Sequence, residues 1–335
     1  MKVTIYDVAE RAGVSIATVS KVINNTGNMR EETRKRILKT IEEMDYHPNL
    51  MASALTGKGT QTLGLMVPDI SNPFFSTMAR SIEDFAHEQG MSVIMCSTDD
   101  DPEKEKKYME LLRRKQVDGF IVASNIYNKD ILQELIESNV PVIMLSYDDA
   151  SLDVSKVSVD DFKGGYEAAS HLYACGHRNI AIIGEHTHSS EFRIYGCKVS
   201  FEARNIELNK NNIYKTTASI QNGKAIFEKI FQRPQKDWPT AIFACNDLLA
   251  IGVIQGATER GISIPNELAI IGFDNTILAV TTIPGLTTIA QPIEKMAKKT
   301  VDILVEEIKE KKRTKRRILF NPELIVRGTT PKFQV

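Results

Sequence analysis

The apolar residues of the first 46 positions recur every three or four residues, which is typical of amphipathic helices rather than strands. Thr4 is placed to cap a first helix, and Ser15 to cap a second helix that runs to about Asn24. Gly13 stands between them, where a tight turn between two helices requires a residue without a side chain. A third helical pattern covers about 31–44, so the sequence predicts a small all-α domain.

From residue 62 the pattern changes to short apolar runs that alternate with amphipathic segments. Strands are predicted at 62–67, 92–97, 119–123, 142–145, 179–184, 240–244 and 268–272. Helices are predicted between them, for example Pro73–Gln89 and Asp247–Arg260. This alternation indicates parallel sheets covered by helices, and its length fits two sheets better than one. Three further apolar runs are expected to return the chain between two subdomains: 286–290, 318–320 and 324–326.

Bulk composition excludes some classes of protein. The 335 residues carry a net charge of −1, with nine Lys/Arg against seven Asp/Glu in residues 1–60, too small an excess to identify a nucleic-acid partner. The four cysteines are far apart, which favours reduced packing thiols over disulfides or a metal site. Since no signal peptide and no apolar run of about 18 residues is visible, we expect a soluble cytoplasmic protein without a membrane partner.

The tract 5–24 carries the sharpest chemical signal. Its apolar residues are spaced to pack one helix across another: Val8, Ala12, Val14, Val19 and Ile23. The second helix then exposes side chains that are small or polar enough to enter a DNA major groove: Ile16, Ala17, Thr18, Ser20 and Lys21. A helix-turn-helix that binds DNA is favoured over the alternative, an arbitrary three-helix cap.

At these positions the sequence resembles the lactose/galactose-repressor (LacI/GalR) family, and the resemblance covers essentially the whole chain. It continues through Tyr46-His47-Pro48-Asn49, Ala52-Ser53-Ala54-Leu55 and Val67-Pro68-Asp69-Ile70-Ser71-Asn72-Pro73-Phe74-Phe75. Later tracts in the same order are Val117-Asp118-Gly119, Gly176-His177, Asn246-Asp247, Ile271-Gly272-Phe273-Asp274-Asn275 and Glu323-Leu324-Ile325-Val326-Arg327-Gly328. The order and spacing of these tracts make the resemblance specific.

The resemblance implies a role in DNA binding for eleven residues. Ile16, Ala17 and Lys21 fall where members of the family read base edges. The positions that anchor phosphates in the family are occupied by Thr4, Ser15, Thr18, Ser20 and Asn24. The segment 49–55 matches the hinge helix, which enters the minor groove with Asn49, Ala52 and Leu55. Leu55 matches a wedge that opens a base step, and the alternative is an ordinary helix residue buried by a partner.

The resemblance also places an effector in a cleft between two subdomains. The implied contacts are Asp69, Phe74 and Phe75 after the first strand, Arg193 at the start of a helix, and Asn246 and Asp274 after later strands. Two acids, an arginine, an asparagine and aromatic rings suit a polyol. Asp69 and Asp274 could instead be turn or cap residues, and Phe75 a core ring. Cys197 follows Gly196 where the family usually has an aromatic residue, which leaves the identity of the ligand open.

Taken together, the expected fold is a small all-α helix-turn-helix DNA-binding domain plus a periplasmic-binding-protein-like α/β domain of two Rossmann-like subdomains with parallel sheets. The expected boundaries are 1–46 for the headpiece, 47–60 for the hinge, 61–159 plus 291–317 for the N-terminal subdomain, and 160–290 plus 318–330 for the C-terminal subdomain. The expected function is a ligand-responsive transcription regulator, a repressor that binds a palindromic operator as a homodimer.

No set of acid, base and nucleophile points to an enzyme, and no cofactor is expected. His186 and His188 have no third ligand nearby in sequence, so a solvated loop is favoured over a metal site. The alternative function is a sugar-binding or sugar-processing protein in which the α/β half does the main work.

Overall fold

The computed structural model describes residues 3–23, 26–27, 29–46, 59–147, 151–310 and 314–331. The chain divides into two compact units, Met1–Thr60 and Gln61–Val335. The described part of the first unit contains three helices, as predicted: Ile5–Ala12, Ile16–Ile23 and Glu31–Glu43.

Local hydrogen bonds explain where the first two helices begin. Thr4 and Asp7 form a capping box, in which the Thr4 N–H donates to Asp7 Oδ2 over 2.7 Å and Thr4 Oγ1 accepts from the Asp7 N–H. Gly13 ends the first helix with a φ of 63°, in the left-handed region that glycine adopts without a steric penalty. Ser15 Oγ then accepts from the Thr18 N–H over 3.2 Å and caps the second helix.

The three helices share one small hydrophobic core. Val8, Ala12 and Val19 are buried in it, while Val14 and Ile23 are partly buried against it, as the helical spacing predicted. Ala9, which the pattern placed with Val8 on the apolar face of the first helix, is buried too, whereas the pattern did not single out Val22 and Ile37.

The second unit contains two six-stranded sheets, with strands numbered in chain order. The strands of the first sheet are β1 Thr62–Val67, β2 Ser92–Ser97, β3 Gly119–Val122, β4 Val142–Leu145, β5 Ser155–Val159 and β11 Arg317–Phe320. Those of the second are β6 Ile180–Glu185, β7 Ile213–Thr216, β8 Ala241–Ala244, β9 Ala269–Asp274, β10 Thr287–Ala290 and β12 Glu323–Ile325. The orders are β11-β5-β4-β3-β1-β2 and β12-β10-β9-β8-β6-β7, and within the described residues the antiparallel pairing is that of β12 with β10.

Helices cover both faces of each sheet, which is why the strands are runs of buried apolar residues rather than alternating ones. On the first sheet, the helices Pro73–Glu88 and Ile293–Lys309 share one core, and Pro102–Arg114 and Lys129–Glu137 share the other. On the second sheet, the corresponding pairs are Ile220–Phe231 with Asp247–Glu259, and Asp161–Ala174 with His188–Glu202. A short helix, Ile277–Thr281, follows β9. Within the described ranges, no helix has both the length and the apolarity to cross a membrane.

The structure contains two strands that the sequence pattern missed, β5 and β7. Strand β5, Ser-Lys-Val-Ser-Val, is polar at three of its five positions, yet all five residues are buried. Strand β7 has four residues and lies at an edge of its sheet, with Lys215 exposed. Neither has the apolar run by which the other strands were recognised.

One expected boundary is wrong. Residues 318–330 were assigned to the C-terminal subdomain, but β11 pairs with β5 in the first sheet, in the register Ile318 with Val157. The change of sheet therefore lies between Phe320 and Glu323. The chain crosses between the two sheets three times, after β5, after β10 and after β11.

The helices Asp161–Ala174 and His188–Glu202 approach each other at two glycines. A Cβ added to Gly165 would lie 1.9 Å from the carbonyl oxygen of Arg193, and one added to Gly196 would lie 2.0 Å from that of Phe162. Because these two positions have no side chain, the backbone of Arg193 can come this close to the neighbouring helix.

Candidate functional site

The second helix of the N-terminal unit, Ile16–Ile23, has an exposed face. Ile16 is 40% exposed, and Ala17 and Lys21 are exposed as well, whereas Val19 and Val22 are buried in the core. The exposed side chains are short or flexible, so the face can approach a groove closely.

The hydroxyls at the ends of the first two helices already have partners within the domain. Ser15 Oγ and Thr18 Oγ1 lie 2.8 Å apart. Thr4 Oγ1 donates to Asp7 Oδ2 over 2.7 Å, and hydrogen bonds from Thr4 hold the pKa of Asp7 below its usual range. Ser20 is half-buried on the second helix.

The aliphatic part of Lys21 lies along a turn. A Cβ on Gly27 would be 3.5 Å from Lys21 Cδ, and Gly27 has a φ of +82°. Four of the residues assigned to DNA binding lie outside the described residues: Asn24, Asn49, Ala52 and Leu55.

In the second unit, a cleft of about 480 Å³ opens where strands of both sheets end. The carboxyl ends of strands in open α/β sheets are where ligands bind. All six residues assigned to the effector line this cleft: Asp69, Phe74, Phe75, Arg193, Asn246 and Asp274.

On the first-sheet side, the three assigned residues differ in how far they are available to a ligand. Asp69 forms a turn, with Oδ1 accepting from the Ser71 N–H and Oδ2 from its hydroxyl, both over 2.8 Å. Phe74 is 5% exposed and belongs to the core. The Phe75 ring meets it edge to face at 5.1 Å between centroids and is half-buried, so it presents more of its surface to the cleft.

Arg193 lies in the second turn of the helix His188–Glu202 rather than at its start, where the sequence placed it. Its Nε donates to Asp161 Oδ1 over 2.7 Å, and its Nη1 donates to the carbonyl oxygen of Cys245 over 2.5 Å. The guanidinium carbon stacks 3.6 Å from the centre of the Phe273 ring. Arg193 is therefore a buried cation with a nearly complete set of partners.

Asn246 and Asp274 line the cleft on the side of the second sheet. Asn246 caps the helix after β8 through its Oδ1, and its Nδ2 donates to Glu185 Oε2 over 2.7 Å. Asp274 has a φ of 109° and accepts from Gln291 Nε2 over 2.7 Å. Burial raises the pKa of Asp274 well above its usual range, and the Arg193 guanidinium, 3.7 Å from Oδ1, opposes this.

Sequence reasoning missed many of the residues that line the cleft. Among them are Asp99, Asp100, Asn125, Tyr127, Tyr147, Glu185, His186, Thr187, His188, Thr217 and Gln291. Most of them come at or just after the carboxyl end of a strand, for example Asp99 after β2 and Tyr147 after β4. A search of the polar residues that follow each predicted strand would have selected them.

The two histidines were expected in a solvated loop, but His188 begins a helix that Thr187 caps. Its ring lies 4.7 Å from that of Phe192 and 6.1 Å from that of Tyr147, measured between centroids. Over the described ranges, no three His, Cys, Asp or Glu side chains are grouped so that they could hold a metal ion.

Two family models match the chain. The model for bacterial regulatory proteins of the LacI family matches residues 4–49, and a periplasmic binding protein-like domain matches residues 169–330. The HTH-type transcriptional regulator DegA of Bacillus subtilis (strain 168) is 46% identical, with 98% of each chain covered. Catabolite control protein A of Priestia megaterium is 37% identical over 88% of this chain and 89% of that protein.

Solved structures agree with these matches. The lac repressor dimer bound to operator and the anti-inducer ONPF has a TM-score of 0.87 at 26% identity, covering 98% of this chain and 99% of that one. A LacI family transcriptional regulator from Enterococcus faecium with bound ribose has a TM-score of 0.73 at 32% identity, covering 82% of this chain and 100% of that one.

Proposed function

The chain belongs to the LacI family of bacterial regulatory proteins, and from this premise we propose that it is a repressor that binds a palindromic operator as a homodimer and a small metabolite in its cleft. As a member of this family it is a DNA-binding transcription regulator and not an enzyme. The observation that carries the proposal is the cleft, a cavity of about 480 Å³ that six assigned residues from distant parts of the sequence line. Because a regulator of this kind works on genomic DNA, we include a cytoplasmic location in the proposal.

For DNA binding, we assign the exposed face of Ile16–Ile23 to the major groove. Ile16, Ala17 and Lys21 would read base edges, and the hydroxyls of Thr4, Ser15, Thr18 and Ser20 would contact phosphates together with Asn24. Two copies are required to read a palindrome whose half-sites are about one helical turn apart.

Replacing Lys21 with alanine should change base preference at one position of each operator half-site. We expect the variant to lose about 1–3 kcal/mol of discrimination between the preferred base and the other bases, because a lysine that reads guanine contributes that much. Binding to a set of operators with single base changes, at fixed salt, measures the effect.

Lys39→Ala is the matched control, since Lys39 is an exposed lysine of the same unit on the helix Glu31–Glu43. It should leave the preference at every base unchanged. A Lys21→Ala variant that loses affinity equally for all the operators would show that Lys21 contacts phosphate and not a base.

For the hinge, we propose that residues 47–60 form the segment that enters the minor groove, through Asn49, Ala52 and Leu55. Leu55→Ala should then reduce both operator affinity and DNA bending, because an inserted apolar side chain unstacks a base step and bends the duplex. Gel mobility of fragments with the operator at different positions measures the bend. Leu38→Ala is the control, since Leu38 is a leucine that is 45% exposed on a helix of the same unit. Equal bending by Leu55→Ala and the parent would refute the wedge.

For the effector, we propose contacts from Asp69, Phe75, Arg193, Asn246 and Asp274, with Phe74 supporting Phe75 from the core. The subdomains would comprise 61–159 plus 291–320 and 160–290 plus 321–330. Support comes from solved relatives that hold ribose or cellobiose. Gel-shift assays against genomic fragments, repeated with a library of sugars and metabolites, test both halves of the proposal. A protein that retains no fragment, or whose DNA affinity no metabolite changes, would contradict it.

A further inference from the structure

The cleft is lined by carboxylates from both sheets. Asp69 and Asp100 follow strands of the first sheet, while Glu185 and Asp274 end strands of the second. Burial raises the pKa of Glu185, the hydrogen bond from Asn246 and the charge of Arg193 oppose this, and the negative charge of Asp100, on the other sheet, adds to the rise. Carboxylates from both sheets therefore line the space where a ligand would lie.

Few positive charges balance these carboxylates. Arg193 lines the cleft and lies 3.7 Å from Asp274, but its guanidinium is also bonded to Asp161 and a carbonyl oxygen and stacks on the Phe273 ring. Lys104 neutralises Asp99 by direct contact. The remaining basic side chains among the residues that line the cleft are His186 and His188, which are both exposed.

Asp100 differs in this respect from its neighbour Asp99. Asp100 is an exposed residue, yet partial desolvation of its carboxyl group raises its pKa, and the negative charges of Glu105, Asp69 and Asp99 raise the pKa further. A group whose charged form is disfavoured by its neighbours gains most when a positive charge binds beside it.

Buried polar atoms without hydrogen-bond partners also favour a ligand that donates hydrogen bonds. Gln291 is 7% exposed, its Nε2 donates to Asp274, and its Oε1 has no hydrogen-bond partner. Ser124, which is 3% exposed, also has a hydroxyl without a partner. Both residues line the cleft, so a ligand that donates hydrogen bonds would satisfy atoms that are otherwise buried at a cost.

A ligand that suits this cleft carries a positive charge together with several hydrogen-bond donors. An ammonium group has three donors and no acceptor, whereas a phosphate or carboxylate would add a negative charge to a cleft that already has an excess. A metal ion would need three closely grouped ligand side chains, and the described residues contain no such group.

We propose that the molecule that closes the cleft is a protonated, hydroxyl-bearing amine, of the class of amino sugars and amino polyols. Its ammonium group binds between Asp100 and Glu185, and a donor on the same molecule reaches Gln291 Oε1. The inference rests on the proposed role of the cleft as the effector site.

The test is a thermal-shift and calorimetric comparison of matched compounds on the full-length protein at pH 7. Glucosamine, galactosamine and 1-amino-1-deoxysorbitol are each compared with the hydroxyl compound and with an acid or phosphate of the same carbon skeleton. We expect the amines to bind at least about tenfold more tightly than their hydroxyl counterparts, as expected for one close charge pair. Neutral or anionic members that bind as tightly as the amines overturn the inference while leaving the proposed function in place. If no member of any class binds, both are contradicted.

Two variants test which carboxylates bind the ammonium group of the ligand. Asp100→Asn and Glu185→Gln should each weaken amine binding at least about tenfold and leave the neutral compounds unaffected, because only the charge is removed. Glu207→Gln removes an exposed carboxylate outside the cleft and should change neither. Parallel losses for amines and neutral compounds in Asp100→Asn would mean that Asp100 contacts hydroxyls and would overturn the assignment.

Discussion

Replacing Arg193 with alanine should lower the free energy of unfolding of this chain by about 3–5 kcal/mol, the usual cost of removing one partner from a buried ion pair. The guanidinium pairs with Asp161 at 2.7 Å and lies 3.7 Å from Asp274, and both carboxylates are largely buried. Without Arg193 they would be buried and uncompensated. Urea denaturation followed by the fluorescence of Trp238, the single tryptophan of the chain, measures the loss.

The loss should depend on pH. Burial already raises the pKa of Asp274 and of Asp161 in spite of Arg193, so in the variant both pKa values would be higher still. A carboxyl group whose pKa is higher in the folded protein than in the unfolded chain stabilises the fold when it is protonated. The difference between parent and variant should therefore shrink as the pH falls from 7 towards 5.

Arg178→Ala is the matched control for this variant. Arg178 also stacks on an aromatic ring, 3.7 Å from the centre of Tyr173, but it is exposed. It should cost no more than about 1 kcal/mol and show no such pH dependence. Similar losses in the two variants, or a loss at Arg193 that is constant with pH, would indicate packing rather than charge.

Gly165→Ala should lower the free energy of unfolding by about 3 kcal/mol, the upper range for overpacking a core. The new methyl group would lie 1.9 Å from a backbone oxygen of the helix His188–Glu202, and a backbone cannot rotate away as a side chain can. The two helices must therefore separate, and Arg193 must move with its helix. We also expect ligand affinity to fall, because Arg193 then loses its position in the cleft. Urea denaturation and ligand titration of the same samples measure both effects.

The gain in helix propensity from glycine to alanine, about 0.5–1 kcal/mol, acts in the opposite direction. Ala174→Gly measures this propensity in the same helix, at an exposed position without the close contact. Because Ala174 is the last residue of the helix, the substitution should destabilise the protein by at most that amount and leave ligand affinity unchanged. A Gly165→Ala variant more stable than the parent would show that the helices accommodate the methyl group.

The sequence allowed most strands of this fold to be predicted, because a strand buried on both faces is a continuous apolar run. β5 was missed because Ser155 and Ser158 interrupt the run, although both residues are buried. β11 was recognised as a strand but assigned to the wrong sheet. Its sheet is decided by pairing with β5, and nothing local to residues 317–320 records that pairing.

The sequence allowed only some of the residues that line the cleft to be predicted. The six assigned residues came from the resemblance to a family, and they do line one cavity. That Asp100 and Glu185 line the same cleft was not foreseen. These residues are 85 positions apart and lie at the ends of strands of different sheets, so only the three-dimensional arrangement brings them into one cleft.

The three crossings between the sheets have a consequence for synthesis of the chain. A ribosome makes β1 to β5 first, yet that sheet lacks its edge strand β11 and the covering helix Ile293–Lys309 until nearly the whole chain has been made. The second sheet likewise waits for β12. The core that the first sheet shares with Ile293–Lys309 cannot close until that helix has been made, so its apolar residues stay exposed to aggregation during most of translation. The nascent chain therefore emerges with two incomplete sheets, and both are completed by the same final stretch of about 40 residues, from Ile293 onward.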